Sequence, residues 1–248
     1  MAIIQFTLSI IILSIIYFKM IKRETPSIGK SQAIVPVILG VVALVVSVAL
    51  TVLIAIGLSK LGYNKNNISN LVLRSISSSF FAAGLSEEIA KCLFIVLCIK
   101  IFKPKNVFEC LLTGFGVGMG FTIFEEFLYG SSLVAVAIRI LVITFHSVLG
   151  SIMASYIGKA KYYKLHKTEN KNITMMYVKA LLVPILIHTI YDATNVKNAG
   201  LENGVPDNVQ GIAVLVALVT MLLAFILQII IHVKIKKDTE KLIEMKAE

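Results

Sequence analysis

Seven long apolar runs divide this chain, and they limit its possible folds more than any other feature. They fall near residues 2–18, 34–58, 71–99, 108–130, 132–158, 177–196 and 209–233. Most reach the roughly 20 residues that a helix needs to cross the hydrocarbon core of a bilayer. With 57% hydrophobic residues, the chain is also more apolar than a soluble domain. We therefore expect an all-α polytopic membrane protein of about seven transmembrane helices, forming one integral membrane domain over residues 1–248.

The basic residues indicate how these helices are oriented. The net charge is +10, but the lysines lie in the linkers between apolar runs, so topology explains them and no nucleic-acid partner is expected. The first, third and fifth linkers and the C-terminal tail hold 18 basic residues, whereas the other linkers hold 3. Because basic linkers stay on the cytoplasmic side, the N-terminus is predicted outside and the tail inside the cell membrane.

Four consecutive runs, the third to the sixth, carry ionisable side chains in their interiors. In chain order these are Glu87, Glu88 and Lys91, then Glu125 and Glu126, then Arg139 and His146, then His188 and Asp192. A charge at membrane depth costs several kcal/mol, so such residues are usually functional. The site is therefore predicted in a catalytic core of about 71–196, with 2–18, 34–58 and 209–233 as flanking helices.

Different roles are expected for these residues. Lys91 lies within one helical turn of Glu87 and Glu88 and can partly neutralise them. Arg139 is expected to pair with an acid, and a structural role is favoured for Glu126. The candidate catalytic residues are Glu87, Glu88, Glu125, His146, His188 and Asp192.

Carboxylates and two histidines in a membrane cavity suit more than one chemistry. A glutamate can act as general base on a water while the histidines stabilise the oxyanion. Alternatively, Glu125, His146 and His188 can bind zinc and leave an open position for water. The main alternative outside the enzymes is a proton- or ion-coupled transporter, since acid–histidine chains also relay protons.

The order of these motifs resembles a known family. Glu87-Glu88-x-x-Lys91, Phe121-x-x-x-Glu125, His146 and His188-x-x-x-Asp192 are similar to the motifs of the PrsW-type intramembrane proteases, over about residues 80–195. These are related to the CAAX-prenyl endopeptidases, whose first motif is usually Glu-Glu-x-x-x-Arg. Lys91 favours the PrsW branch, although that branch usually has Asn where this chain has Glu126.

The resemblance implies a protease that cuts a membrane-anchored regulator, such as an anti-sigma factor, in the first step of a signalling cascade. By position it implies Glu87 or Glu88 as the catalytic carboxylate, with Glu125, His146 and His188 completing the site. A CAAX-type prenyl-protein endopeptidase is the alternative among enzymes.

Overall fold

A computed structural model of the protein describes residues 2–24, 28–129, 139–140, 142–168 and 171–193, with 219, 222, 226, 230, 233–234 and 236–246 near the C-terminus. Helices dominate this part of the chain. They are α1 (Ala2–Ile21), α2 (Lys30–Lys60), α3 (Leu71–Ser79), α4 (Ser86–Phe102), α5 (Val107–Tyr129), α6 (Phe145–Leu165) and α7 (Ile173–Ala193).

Within the described residues, four helices are long and apolar enough to cross a membrane. They are Ile3–Glu24, Lys30–Lys60, Val107–Phe127 and Ile173–Ala193, which correspond to the first, second, fourth and sixth apolar runs. Helix α4 has only 17 residues and carries charges in its first two turns, and the last two turns of α6 are rich in lysine. The start of the fifth run and most of the seventh lie outside the described residues. The protein is thus an all-α, multi-pass membrane protein, and the count of seven spans stays a prediction.

The long third run is one continuous helical stretch with a local change of geometry. A π-helical segment, Phe80–Leu85, joins α3 to α4, and only Ser86 separates it from the paired glutamates. Neighbouring hydroxyls donate to the Ala82 carbonyl oxygen within this segment, from Thr51 at 3.0 Å and from Ser86 at 2.7 Å. Each residue inserted into a helix rotates the later turns of that helix by about 100°. The π segment therefore sets the direction in which α4 presents its charged side chains.

Helix α5 is central, because it contacts α1, α2, α4 and α6. Its glycines make these contacts close: a Cβ atom on Gly118 would collide with the carbonyl oxygen of His146, and one on Gly114 with that of Gly150. Small residues let membrane helices approach in this way, since lipid provides no hydrophobic drive for association. The close contacts indicate a packing role for these glycines, and Gly118 brings α5 against the start of α6.

The linkers with many lysines meet at one end of the helix bundle. The Asn106 side chain, before α5, donates to Glu24, after α1, at 2.6 Å. The C-terminal segment returns to the same end, where the Val107 amide donates to the Met245 carbonyl at 3.2 Å and a His166 ring nitrogen lies 3.0 Å from the Lys246 carbonyl. At the opposite end, the Ser75 hydroxyl of α3 donates to the carbonyl of Ala193, the last residue of α7.

Candidate active site

The charged side chains of four helices converge near the end of the bundle that has few lysines. Helices α4 and α6 begin at this end, whereas α5 and α7 finish there. Glu87 and His146 are thus the second residues of their helices, and Glu125 and His188 lie in the last two turns of theirs. All nine ionisable residues singled out in the sequence lie in this one cluster of contacts.

Glu88 is the fully buried centre of the cluster. Its Oε1 accepts hydrogen bonds from the Lys91 ammonium group at 2.6 Å and from Nδ1 of His188 at 2.7 Å. Lys91 is equally buried and lies 4.6 Å from the centre of the Phe121 ring. A buried charge is tolerated only when it is paired and hydrogen-bonded. Glu88 and Lys91 form such a pair, and the same Oε1 of Glu88 also holds the ring of His188.

These contacts determine which nitrogen of each histidine carries the proton. Lys91 is a donor only, so it donates to Nδ1 of His146 at 3.0 Å and leaves the proton of that ring on Nε2. This Nε2 lies 2.7 Å from Oε2 of Glu125. His188 donates from Nδ1 to Glu88, and its Nε2 faces the carboxylates of Glu87 and Asp192.

One set of side chains could hold a metal ion, and it differs from the set predicted from the sequence. Among the described residues, Glu87, His146 and His188 bring one ligand atom each within 4.8 Å of the other two. The sequence favoured Glu125 with the two histidines, and Glu125 instead contacts His146 directly.

The Glu87 set fits a divalent ion such as zinc. Oε2 of Glu87 is buried with no hydrogen-bond partner in the described structure, and it lies 3.7 Å from Nε2 of His188. Two ligands of a tetrahedral zinc ion, each about 2.1 Å from the metal, are about 3.4 Å apart. Glu88 would orient His188 as a carboxylate behind a ligand histidine commonly does. His146 would exchange one of its two present contacts for the metal.

Arg139 connects both glutamates of α5. Its Nε donates to Oε2 of Glu126 at 2.7 Å, and its Nη2 lies 3.4 Å from Oε1 of Glu125. The same Oε2 of Glu126 also accepts from the side-chain amide of Gln5, in α1, at 2.6 Å. Gln5 was not singled out in the sequence, although a lone amide side chain within an apolar run is the kind of signal that marks a buried polar contact.

A small cavity of about 50 Å³ opens beside these groups. It is lined by Thr122, Glu125, Glu126, Arg139, Val142, Phe145, His146, His188, Tyr191 and Asp192. Asp192 lies one helical turn from His188, with 3.4 Å between its Oδ2 and Nε2 of the His188 ring. A water needs roughly 10–15 Å³ of such space and two or more polar partners. The cavity therefore suits a few water molecules held between carboxylates, imidazoles and a guanidinium.

Comparison with known proteins gives consistent matches. The model of the PrsW family of intramembrane metalloproteases matches residues 30–228. A relative named Protease PrsW from Bacillus subtilis (strain 168) is 30% identical over 120 residues, which are 46% of this chain and 52% of the relative. Another Protease PrsW, from Shouchella clausii (strain KSM-K16), is 30% identical over 127 residues, 50% of this chain and 56% of the relative. The match therefore spans about half the length of these relatives. No solved structure matches the chain.

Proposed function

This chain belongs to the PrsW family of intramembrane metalloproteases, and we propose that it hydrolyses a peptide bond in a membrane-anchored regulatory protein of the anti-sigma-factor type. The observation that carries the proposal is that four helices bring Glu87 close to His146 and His188, beside a cavity with room for water that both histidines and Glu125 line. Buried acids and histidines are costly in a membrane. Peptide hydrolysis requires such groups, as bases, acids or metal ligands, and so accounts for their presence in the membrane.

The metal implied by the family would be held by Glu87, His146 and His188. When bound there, a divalent ion such as zinc supplies Lewis-acid polarisation of the scissile carbonyl. Glu88 and Lys91 act behind these ligands: Glu88 keeps the Nε2 lone pair of His188 pointing at Glu87, and Lys91 neutralises the charge of Glu88.

Glu125 is the proton acceptor in this proposal. Its side chain lines the cavity beside both histidines, where it can take a proton from a water that attacks the peptide carbonyl. The carboxyl group then returns this proton to the amide nitrogen as the peptide bond breaks, so the base becomes the acid. Arg139 lines the same cavity and offers a positive charge to the oxyanion that develops.

Cleavage by the purified protein tests the proposal. The protein is reconstituted in liposomes with a single-pass anti-sigma-type substrate, and the products are identified by mass spectrometry. Glu125→Gln and Glu87→Gln should abolish cleavage. Glu109→Gln is the matched control, because Glu109 is also a buried glutamate of α5 but lies about 24 Å from Glu125 along the helix.

The same preparation distinguishes the two alternative functions, a CAAX-type endopeptidase and a transporter. Cleavage of a prenylated CAAX peptide in place of the single-pass substrate would assign the related endopeptidase activity. Proton-coupled uptake by protein that cleaves neither substrate would assign a transporter.

A further inference from the structure

Helix α1 contributes a buried polar contact to the site from outside the region that matches the family. The match begins at residue 30, whereas α1 is Ala2–Ile21. Most of α1 faces outward, yet the Gln5 side chain is fully buried. A buried amide is costly unless it is hydrogen-bonded. The amide nitrogen of Gln5 meets this requirement with the 2.6 Å bond from Nε2 to Glu126, whereas Oε1 has no hydrogen-bond partner among the described residues.

From Gln5 a continuous series of polar contacts leads to His146. Glu126 accepts from Gln5 and from Arg139 on the same oxygen atom. Arg139 extends its Nη2 toward Oε1 of Glu125, at 3.4 Å, and the other oxygen of Glu125 lies 2.7 Å from Nε2 of His146. Four contacts therefore connect the most N-terminal helix with a histidine of the candidate metal set.

One guanidinium is shared unequally between two carboxylates. The bond from Arg139 to Glu126 is the short one, and the contact to Glu125 is longer. Arg–carboxylate pairs favour a two-bond fork in which both carboxylate oxygens are used. If Glu126 were not held in place, Arg139 would be free to form that fork with Glu125. It would then compete with His146 for the oxygen that His146 now contacts.

We propose that Gln5 is a positioning residue, which acts through Glu126 and Arg139 to keep Glu125 paired with His146. Helix α1 is on this view an accessory part of the active site and not only a membrane anchor. The effect on catalysis rests on the proposed protease function, whereas the effect on the geometry of His146 does not.

The experiment compares two Gln→Met variants of the full-length protein. Gln5→Met removes the bond to Glu126. Gln32→Met is the matched control, because Gln32 donates in the same way, at 2.9 Å, to Glu109 at the other end of α5. For Gln5→Met we expect kcat to fall about 10- to 100-fold, as for other residues that orient catalytic groups, with KM changed much less. Gln32→Met should retain the wild-type kcat. Equal kcat values for both variants would overturn the proposal.

A second measurement does not depend on activity. The ring-nitrogen NMR shifts of His146, assigned with His146→Gln, should change in Gln5→Met and stay unchanged in Gln32→Met. In the Arg139→Gln background, Gln5→Met should cause no further change, because its effect passes through Arg139. Unchanged His146 shifts in Gln5→Met overturn the positioning role even if the wild type proves to have no protease activity.

If Gln5→Met fails to fold, Glu126→Gln tests the same path. It keeps the size of the side chain and an acceptor for Gln5, but it loses the charge that holds Arg139. The same changes in kcat and in the His146 shifts are expected, and wild-type values for both would overturn the proposal.

Discussion

At the scale of single residues, Glu87 and Glu88 are adjacent in sequence but differ in surroundings. Each of the two carboxylates has one buried oxygen without a hydrogen-bond partner among the described residues. Oε1 of the fully buried Glu88 holds two donors, Lys91 and His188, whereas the Glu87 side chain is 18% exposed and its Oε2 lies 3.7 Å from Nε2 of His188. The donors on Glu88 suit it to orienting other groups, and the position of Glu87 opposite Nε2 of His188 suits it to binding a ligand. The two glutamates therefore receive different roles.

The zinc content of two variants distinguishes the proposed metal ligand, Glu87, from the proposed base, Glu125. Glu87→Gln should lower the bound zinc of the purified protein by about 10-fold or more, since a ligand is lost and even residues behind a ligand cost 10- to 100-fold. Glu125→Gln should keep its zinc and still be inactive. The measurement is elemental analysis after dialysis at controlled free zinc. If zinc is lost only in Glu125→Gln, the metal ligands are Glu125, His146 and His188, as predicted from the sequence. Full activity in metal-free protein would favour a glutamate base acting without metal.

The buried pair of Glu88 and Lys91 makes the fold sensitive to loss of either charge. Lys91→Met would leave Glu88 uncompensated, and removing one partner of a buried ion pair costs about 3–5 kcal/mol. We expect a lower thermal midpoint in detergent, with part of the loss recovered in Lys91→Met/Glu88→Gln. Lys100→Met, at an exposed position of the same helix, should leave the midpoint unchanged. If Lys91→Met is as stable as Lys100→Met, Glu88 does not need this partner.

At the scale of helices, two local features position the site. The π segment before α4 sets the rotation of the charged turn, and Gly118 of α5 lets the start of α6 approach closely. Neither feature supplies a reactive side chain. Both affect whether side chains from different helices come within hydrogen-bonding distance.

Adding one methyl group tests the close approach of α5 and α6. Gly118→Ala would place a Cβ against the carbonyl of His146, and such overpacking typically costs about 1–3 kcal/mol. Because α6 must move away, His146 moves with it, and we expect kcat to fall more than stability alone explains. Gly57→Ala on α2, where a Cβ meets nothing within 4 Å, is the control. Wild-type kcat in Gly118→Ala would mean that α6 adjusts without displacing His146.

At the scale of the whole molecule, the fold separates two ends of different character. The lysine-rich linkers and the C-terminal segment meet at one end, whereas the candidate site lies toward the other. The grouping of linkers expected from their charge is thus supported by contacts in the structure. Which end faces the cytoplasm is a separate question, to which the positive-inside rule gives an answer.

Reporter fusions test this orientation. Fusions after Lys30, Lys105 and Lys171 should be cytoplasmic, and a fusion after Lys65 should be external, because the basic linkers remain inside. The N-terminus should then be accessible from outside the cell. An external reporter after Lys171 would show that the number of spans between Lys105 and Lys171 is odd, and the seven-span topology would be wrong.

The sequence by itself determined where helices form in the apolar runs and which ionisable residues lie within them. The helices Val107–Tyr129 and Ile173–Ala193 follow closely the runs expected at 108–130 and 177–196. This is possible because the cost of placing a polar group in lipid depends on depth along a single helix, which can be read from one stretch of sequence. The pairing of Glu88 with Lys91 is similarly local, since they are three residues apart.

Only the tertiary structure decided which side chains meet across helices. Helical periodicity does not indicate the π segment before α4, and only the structure shows that Glu87 lies close to both His146 and His188 while Glu125 contacts His146. Gln5 and Glu126 are 121 residues apart, and their contact depends on how α1 packs against α5. Rotation and packing of helices result from the summed contacts of the whole bundle. The partners of a buried polar group are therefore a property of the assembled molecule.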